Sequence, residues 1–268
     1  MTTQQTINPF DITGKTVIIT GAGCGLGASA AKGYARAGAR LALWDINTAG
    51  LEIVAADLEN EGHDDVIIQT VDVSDLDQVG QAVDTVVKRF GSVDILLNDA
   101  GTFGRDSVED FDPEDWNRVF SVNLGGVRNT SHFVIPLLKK KGYGKIINIA
   151  SAAIYGGKVS ETSNCDTYFA SKNAVAGLTR AMATRLAKYG IGVNAVAPGL
   201  FKTVITADNF DHEKEIKEYF AKHSPTGHYG REGDLNGTLL FLSSHASDYV
   251  IGQTIFVDGG HLLALDFS

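Results

Sequence analysis

The chain has 268 residues, of which 44% are hydrophobic and 21% charged, as in an ordinary globular protein. It carries 23 basic and 32 acidic residues, which gives a net charge of −9, and no run of basic residues stands out. We therefore expect no nucleic acid and no anionic membrane as a partner. The length suits one large α/β domain, so residues 1–268 are predicted to form a single domain.

The two cysteines, Cys24 and Cys165, belong to no CxxC pair and to no His/Cys cluster. Neither a disulfide framework nor a bound metal is therefore expected. The first residues lack the basic start and the apolar centre of a signal peptide, and residues 1–13 are predicted to be a polar arm. No apolar run reaches the ~18 residues that a membrane span needs. These features favour a cytoplasmic location.

The first motif is a glycine-rich loop between a strand and a helix. Residues 15–20 predict a strand, residues 21–27 contain four glycines, and residues 28–37 predict a helix. Glycines allow close approach of the backbone, and the helix N-terminus offers N–H donors to a pyrophosphate. The spacing Gly23-x-Gly25-x-x-Ala28 also fits the relaxed dinucleotide-binding fingerprint. The alternative is a glycine-rich turn that binds no ligand.

The second predicted strand, residues 39–45, ends in an acidic residue. Asp45 lies 20 residues after Gly25, which is the spacing of an acid that binds the adenosine ribose hydroxyls. A carboxylate there would repel the additional phosphate of NADP, and the loop residues 22–24 carry no compensating positive charge. We predict NAD(H) as the cofactor. The alternative is a surface aspartate in a turn.

Helix and strand patterns alternate through the rest of the chain. Helices are predicted over residues 46–61, 76–90, 112–140, 168–189, 211–223 and 233–244, and strands over 66–72, 93–97, 146–150, 192–197 and 253–257. Such alternation predicts a Rossmann-type, doubly wound α/β fold with seven parallel strands and helices on both faces. Residues 200–228, which are largely polar, are predicted to form a lid over the substrate.

A candidate acid–base group follows the fifth predicted strand. Ser151 stands where that strand ends, at the sheet edge where ligands bind in open parallel sheets. Tyr168 and Lys172 are four residues apart, which places both on one face of a helix. A neighbouring ammonium favours the phenolate and lowers the pKa of a tyrosine, so the phenol can exchange a proton with an alcohol or ketone. Such pairs also occur by chance, and the other motifs give this one its weight.

From about Lys15 to Gly260 the chain resembles the short-chain dehydrogenase/reductase family. The matching motifs stand in the family's order: Thr20-Gly21-xxx-Gly25-x-Gly27, Asp45, Asp72-Val73, Asn98-Asp99-Ala100-Gly101, Asn123, Ser151, Tyr168-xxx-Lys172, Pro198-Gly199 with Thr203, and Val257-Asp258-Gly259-Gly260. The resemblance implies NAD-linked interconversion of a secondary alcohol and a ketone by a homotetramer or homodimer.

The resemblance also implies roles for individual residues. Tyr168 would be the general acid or base, and Lys172 would bind the nicotinamide ribose and lower the pKa of Tyr168. Ser151 would hold the substrate oxygen, and Asn123 would bind a water that links Lys172 to solvent. The implied cofactor contacts, besides Tyr168 and Lys172, are Gly21, Cys24, Gly25, Leu26, Asp45, Ile46, Asp72, Val73, Asn98, Ala100, Gly101, Pro198, Gly199, Leu200 and Thr203.

Tyr155, four residues after Ser151, is predicted either to line the substrate pocket with Ser151 and Tyr168 or to be purely structural. Two departures from the family pattern are visible. Asp99 replaces the second Asn of the Asn-Asn-Ala-Gly motif, and we expect it to adjust a hydrogen bond at the end of its strand. Tyr168 follows Ser151 by 17 residues, a longer spacing than the family usually has. The additional residues, within 159–166, are expected to bulge outward at the rim of the substrate pocket.

The sequence says least about the substrate. Residues 223–231 and 258–264 resemble family members that act on sugar acids and polyols, which favours a polyol, sugar or sugar acid. A 3-oxoacyl or other carbonyl reductase is the first alternative, although Asp45 fits poorly with NADPH. A non-catalytic nucleotide-binding scaffold is the second, and the intact Asn123, Ser151, Tyr168 and Lys172 argue against it. The apolar segment 261–265 fits a subunit interface.

Overall fold

The computed structural model describes residues 8–104, 107–155, 165–203 and 213–264. Seven strands run through these residues: β1 Thr16–Thr20, β2 Arg40–Asp45, β3 Val66–Thr70, β4 Ile95–Asn98, β5 Gly144–Ile149, β6 Ile191–Pro198 and β7 Thr254–Val257. They form one parallel sheet in the order β3-β2-β1-β4-β5-β6-β7. The strand order reverses between β1 and β4, so the predicted doubly wound sheet is confirmed.

Helices cover both faces of the sheet. They are α1 Gly25–Arg36, α2 Thr48–Asn60, α3 Leu76–Phe90, α4 Pro113–Phe120, α5 Gly126–Lys141, α6 Asp166–Leu186, α7 Glu213–His223 and α8 Asn236–Ser243. Helices α1, α2 and α8 supply the apolar core on one face. Helices α3, α5 and α6 supply the core on the other face.

The central strand β1 shows why these sequences form a buried sheet. Val17 and Ile19 lie in the core under α1 and α2, whereas Ile18 lies in the core under α3 and α5. All three side chains are 0% exposed. Successive residues of a strand point to opposite faces, so a strand covered on both sides must be apolar throughout. Continuous runs of β-branched residues meet that need.

The boundaries of several predicted helices are wrong by a few residues. The helix predicted from Ala28 begins at Gly25, inside the glycine-rich loop. The helix predicted from Ile46 begins at Thr48, because Asn47 caps it by accepting a hydrogen bond from Gly50 N at 3.1 Å. The single helix predicted over 112–140 is divided into α4, a π-helical turn Ser121–Gly125 and α5. Apolar periodicity does not reveal a π-helical turn.

Parts of four predicted segments lie outside the described residues. They are residues 1–7 of the polar arm, residues 159–164 of the expected bulge, residues 204–212 of the expected lid and residue 265 of the apolar segment 261–265. Within the described ranges, no helix is both long enough and apolar enough to cross a bilayer.

Candidate active site

The ends of β1 and β4 are joined at the carboxyl edge of the sheet. The hydroxyl of Thr20 accepts hydrogen bonds from Asp99 N at 3.1 Å and from Ala100 N at 3.0 Å. Gly21 has φ +70°, and a Cβ there would lie 2.9 Å from Ala100 Cα. Glycine is therefore required at this position. Two of the predicted cofactor-binding segments thus meet at this edge.

The Asp45 carboxylate is bound to the glycine-rich loop. One oxygen accepts a hydrogen bond from Gly23 N and the other from Asn47 N, each at 2.9 Å. A Cβ on Gly23 would lie 3.0 Å from Asp45 Cγ. The acid therefore faces the loop, as a group that binds a ribose beside the pyrophosphate must. A Cβ on Gly25 would lie 3.3 Å from Thr203 Cβ, so the loop also meets the segment after β6.

The remaining loop and strand-end residues lie at the same edge, with differing exposure. Cys24 and Leu26 are partly buried, whereas Ile46 is 71% exposed. Asp72 accepts hydrogen bonds from both Ser74 N and Ser74 Oγ. Val73 is buried against α5, where a Cβ on Gly126 would lie 2.6 Å from its Cγ2.

The end of β6 is fixed by its neighbours. Pro198 is paired with Val257 of β7, and Gly199 N donates to Val257 O at 3.0 Å. A Cβ on Gly199 would lie 2.9 Å from Asp258 Cα, so this position also needs glycine. Leu200 O accepts a hydrogen bond from Gly230 N at 2.8 Å. The segment predicted to hold the nicotinamide is thereby attached to the Asp258 turn and to Gly230.

The Asn98 side chain is engaged inside the sheet. Its amide donates to Asn148 Oδ1 at 2.8 Å, and its side-chain oxygen accepts from Thr130 Oγ1 at 2.7 Å, while the implied contact of Asn98 with the cofactor stays a prediction. Asn148 in turn donates to Thr179 Oγ1 at 2.8 Å. Asn98 and Asn148 are directly paired in the sheet, so their side chains meet among the buried residues. The Asn98 side chain therefore serves the sheet, and any contact with the cofactor falls to its backbone.

The candidate catalytic side chains are brought together as the motifs predicted. The hydroxyls of Ser151 and Tyr168 share a hydrogen bond. Lys172 Nζ lies 5.9 Å from the centre of the Tyr168 ring and donates to Ile149 O at 2.9 Å. Lys172 is 5% exposed. Two hydroxyls at hydrogen-bond distance beside a buried amine can hold and protonate one substrate oxygen.

The pKa values of this group follow from its burial. Burial raises the pKa of Tyr168, the hydrogen bond with Ser151 opposes that rise, and the charge of Asp99 adds to it. The net direction is opposite to the lowering that the resemblance assigns to Lys172. Burial likewise lowers the pKa of Lys172, against the attraction of Asp99. The raised pKa of Tyr168 favours its protonated phenol, and the lowered pKa of Lys172 favours its neutral amine.

Asn123 lies in the π-helical turn and is 1% exposed. Its carbonyl accepts from Thr102 N at 2.7 Å, and its amide donates to Thr102 O at 3.0 Å and to Ser171 Oγ at 2.9 Å. A Cβ on Gly101 would lie 3.3 Å from both Asn123 Oδ1 and Lys172 Nζ. Three predicted residues thus meet at one point. Both amide hydrogens are engaged within the protein, and the water relay stays a prediction.

Asp99 lies beside the first turn of α1. Its carboxylate accepts a hydrogen bond from Gly27 N, and a Cβ on Gly27 would lie 2.9 Å from Asp99 Oδ2. Burial raises the pKa of this carboxyl to about 7, while Lys172 opposes the rise and Asp45 adds to it. The substitution therefore preserves an acceptor at the strand end, as expected, and adds a titratable group near Lys172.

Two aromatic residues, Tyr155 and Phe103, are candidates for the wall of the pocket. Tyr155 is 72% exposed, and its ring lies 6.0 Å from that of Phe256 on β7, so a role in lining the pocket stays a prediction. Phe103 was not foreseen: its ring lies 4.8 Å from the Tyr168 ring at 41°. No spacing or motif singles out Phe103. Asn148 was also missed, although a polar residue inside an apolar strand is a signal that could have found it.

Comparison with known proteins places this geometry in a family. A family model described as enoyl-(acyl carrier protein) reductase matches residues 21–261. The 2-dehydro-3-deoxy-D-gluconate 5-dehydrogenase of Bacillus subtilis is 39% identical over 255 residues, covering 94% of this chain and 96% of that protein. The gluconate 5-dehydrogenase of Gluconobacter oxydans is 35% identical over 258 residues, covering 96% and 98%.

A solved structure agrees with both relatives. The crystal structure of a gluconate 5-dehydrogenase from Burkholderia cenocepacia, in complex with NADP and tartrate, superposes with a TM-score of 0.87 at 36% identity and covers 96% of this chain and 98% of that one. The seven-stranded parallel sheet agrees with these matches. The chain therefore belongs to the short-chain dehydrogenase/reductase family, and it is an oxidoreductase of the class that acts on CH–OH groups.

Proposed function

We propose that this chain is an NAD(H)-dependent dehydrogenase that interconverts a secondary alcohol and a ketone in a sugar acid of the gluconate type. The observation that carries the proposal is the hydrogen bond between the Ser151 and Tyr168 hydroxyls, with Lys172 Nζ 5.9 Å from the Tyr168 ring. The substrate class is supported by the relatives that act on gluconate and 2-dehydro-3-deoxy-gluconate.

The residues divide the chemistry among themselves. The Ser151 hydroxyl holds the substrate oxygen, and Tyr168 gives that oxygen a proton during reduction or takes the proton from it during oxidation. Lys172 supplies a positive charge near Tyr168 when its amine is protonated. A bound nicotinamide dinucleotide supplies or accepts the hydride at the substrate carbon. The glycine-rich loop and the acid at 45 fit such a group, because the loop leads into the N-terminus of α1 and the Asp45 carboxylate faces the loop.

Asp45 supports NAD rather than NADP. Its carboxylate is held toward the loop by two backbone N–H groups, and residues 46–48 and 22–24 carry no cation. A phosphate on the adenosine ribose would approach an uncompensated negative charge. The Burkholderia cenocepacia enzyme was solved with NADP, so both dinucleotides belong in the first assay.

The test of the mechanism is Tyr168→Phe. We expect it to abolish NADH formation from gluconate and related sugar acids, while NADH affinity, measured by fluorescence titration, stays within about twofold. Tyr249→Phe is the matched control, because Tyr249 is 101% exposed and should leave both quantities unchanged. Turnover by the Tyr168→Phe protein would refute the mechanism.

The substrate panel separates the alternatives. It contains aldonates, polyols, 3-hydroxyacyl esters and simple secondary alcohols, each with NAD and NADP. Activity confined to the hydroxyacyl esters with NADPH would favour a 3-oxoacyl reductase. NADH binding without any turnover across the panel would favour a nucleotide-binding scaffold.

Four further expectations are part of the proposal. Residues 200–228 would cover the substrate, and the bulge within 159–166 would tune substrate preference without changing NAD affinity. The protein would be a homotetramer or homodimer, which light scattering would measure, and Leu263 offers apolar surface for the contact because it is 87% exposed. A cytoplasmic location stays a prediction.

A further inference from the structure

The segment Thr102–Gly104, directly after the Asn98–Gly101 motif, is fixed from two sides. Asn123 engages both backbone groups of Thr102, at 2.7 and 3.0 Å. From α4, Arg118 donates to the hydroxyl of Thr102 and to Phe103 O, the latter at 2.9 Å. Arg118 also pairs with Asp115 one turn earlier on the same helix. The planar guanidinium suits three acceptors in fixed directions.

Gly104 completes the attachment. It is buried, and a Cβ there would lie 2.8 Å from Asp115 Oδ2 and 3.6 Å from Thr167 Cβ. The segment is therefore pressed between α4 and the first turn of α6. Further along, Val108 N donates to Asp166 Oδ2 at 3.0 Å. Gly104 and Val108, both in the connection between β4 and α4, thus each contact the N-terminus of α6, the helix that carries Tyr168.

This attachment sets the direction of one side chain. With Phe103 O held by Arg118 and Thr102 held by Asn123, the Phe103 ring lies 4.8 Å from the Tyr168 ring at 41°. Rings at this distance and tilt attract each other, and they also exclude water from the covered face. The Arg118–Asp115 pair is exposed on the arginine side, so it adds little stability to the fold. Its three acceptors instead point to a positioning role.

We propose that Phe103 is a positioning residue that orients the Tyr168 ring and shields it from water, and that Arg118 holds Phe103 in that place. The inference rests on the proposed function, in which Tyr168 carries the proton. It assigns α4 a part in the reaction although α4 contributes no group that touches the substrate oxygen.

The charges around Tyr168 define what the proposal changes. Asp99 faces Tyr168 from the end of β4, Cys165 faces it from the residue before α6, and Lys172 faces it from α6. On α4, Arg118 and Asp115 neutralise each other. Burial is the largest cause of the raised pKa of Tyr168, and the Phe103 ring covers part of that residue. Removing the ring admits water, which favours the phenolate and lowers the pKa.

Alcohol oxidation needs the phenolate, so its rate rises with pH through the pKa of Tyr168. For Phe103→Ala we expect this rise to move to lower pH by about one unit, with kcat lowered about tenfold and the KM for NAD nearly unchanged. Phe103→Leu keeps an apolar cover and should leave the pH profile in place. Arg118→Gln should move the profile in the same direction by about half as much, and Arg118→Lys should do so less.

A double-mutant cycle tests whether Arg118 acts through Phe103. The Phe103→Ala/Arg118→Gln protein should show no larger shift than Phe103→Ala, because the arginine then has no ring to hold. Two matched controls lie far from the site. Phe133→Ala removes a partly buried ring on α5. Arg36→Gln, at the end of α1, breaks the bidentate pair that Arg36 forms with Glu61. Neither control should move the pH profile.

The proposal is overturned if Phe103→Ala and Arg118→Gln lower kcat without moving the pH profile, if their shifts add fully, or if the controls move it equally. A second readout needs no substrate: nitration of Tyr168 by tetranitromethane, followed by peptide mass spectrometry. It should be faster in Phe103→Ala and Arg118→Gln than in the wild type and both controls, and equal rates would overturn the proposal. Absence of turnover by the wild type would instead refute the proposed function, and the nitration rates would still decide the role of Phe103.

Discussion

Neutralising Asp45 should change the choice of dinucleotide. The carboxylate accepts two backbone N–H groups, from Gly23 and Asn47, each at 2.9 Å. At an effective dielectric constant of 20, a unit charge 4 Å away is repelled by about 4 kcal/mol, and screening by salt reduces this to about 2 kcal/mol. Asp45→Asn removes that repulsion. Since 1.4 kcal/mol is tenfold, the ratio of kcat/KM with NADP to that with NAD should rise by about 30-fold.

A second effect acts on NAD itself. Asparagine has one carbonyl oxygen, so Asp45→Asn can accept from Gly23 N or from Asn47 N but not from both. The lost hydrogen bond to a charged acceptor is worth about 1.5–3 kcal/mol, and we expect kcat/KM with NAD to fall about tenfold as the loop loosens.

The assay measures initial rates with both dinucleotides at low and high ionic strength. In the wild type, discrimination against NADP should weaken as salt rises, and in Asp45→Asn it should depend little on salt. Asp84→Asn, which removes the same charge from an exposed position on α3, is the control. An unchanged ratio in Asp45→Asn, or an equal change in Asp84→Asn, would refute the reasoning.

Three other predictions follow from the described contacts. Because burial raises the pKa of Tyr168, the wild-type rate of alcohol oxidation should still be rising above pH 9 in a pH–rate profile. A plateau reached by pH 7 would contradict the assigned direction of the pKa shift. Asn148→Ala leaves the buried Asn98 amide without its acceptor, so it should lower the free energy of unfolding in urea by about 2–4 kcal/mol. A loss below about 0.5 kcal/mol would argue against the hydrogen bond between Asn98 and Asn148. Asp248→Asn leaves the 2%-exposed Lys145 without its carboxylate partner at 2.7 Å, so unfolding by urea should be easier by about 2–3 kcal/mol, and equal midpoints would argue against the ion pair.

The sheet was predictable because its strands are simple. A strand such as β1, buried on both faces, must be apolar throughout, and a continuous apolar run in the sequence predicts such a strand directly. The π-helical turn was not predictable, because one widened turn leaves the apolar stripe of the helix pattern almost unchanged. Its consequence is large, since Asn123 lies within the turn and engages both backbone groups of Thr102.

The candidate site divides in the same way. The positions of Ser151, Tyr168 and Lys172 follow from a strand end and a helical spacing, which are local rules. The orientation of the Asn98 side chain depends on the register of β4 against β5, and the contact of Phe103 with Tyr168 depends on how α4 packs beside α6. Both are tertiary facts, and the sequence pattern around either residue carries no trace of them.

Asp94, at the edge of the sheet opposite the site, bears on how the chain folds. Its carboxylate accepts from Thr16 N at 2.9 Å, and its backbone oxygen accepts from Lys145 N at 3.0 Å. Thr16 of strand β1 therefore pairs with Asp94, which lies 78 residues further along the chain. During synthesis the first three strands emerge with one flank of β1 unpaired, and an unpaired flank invites association between chains. Once Asp94 and β4 have been synthesised, they can cover the unpaired flank of β1. The growing chain should therefore become less prone to aggregation after this point.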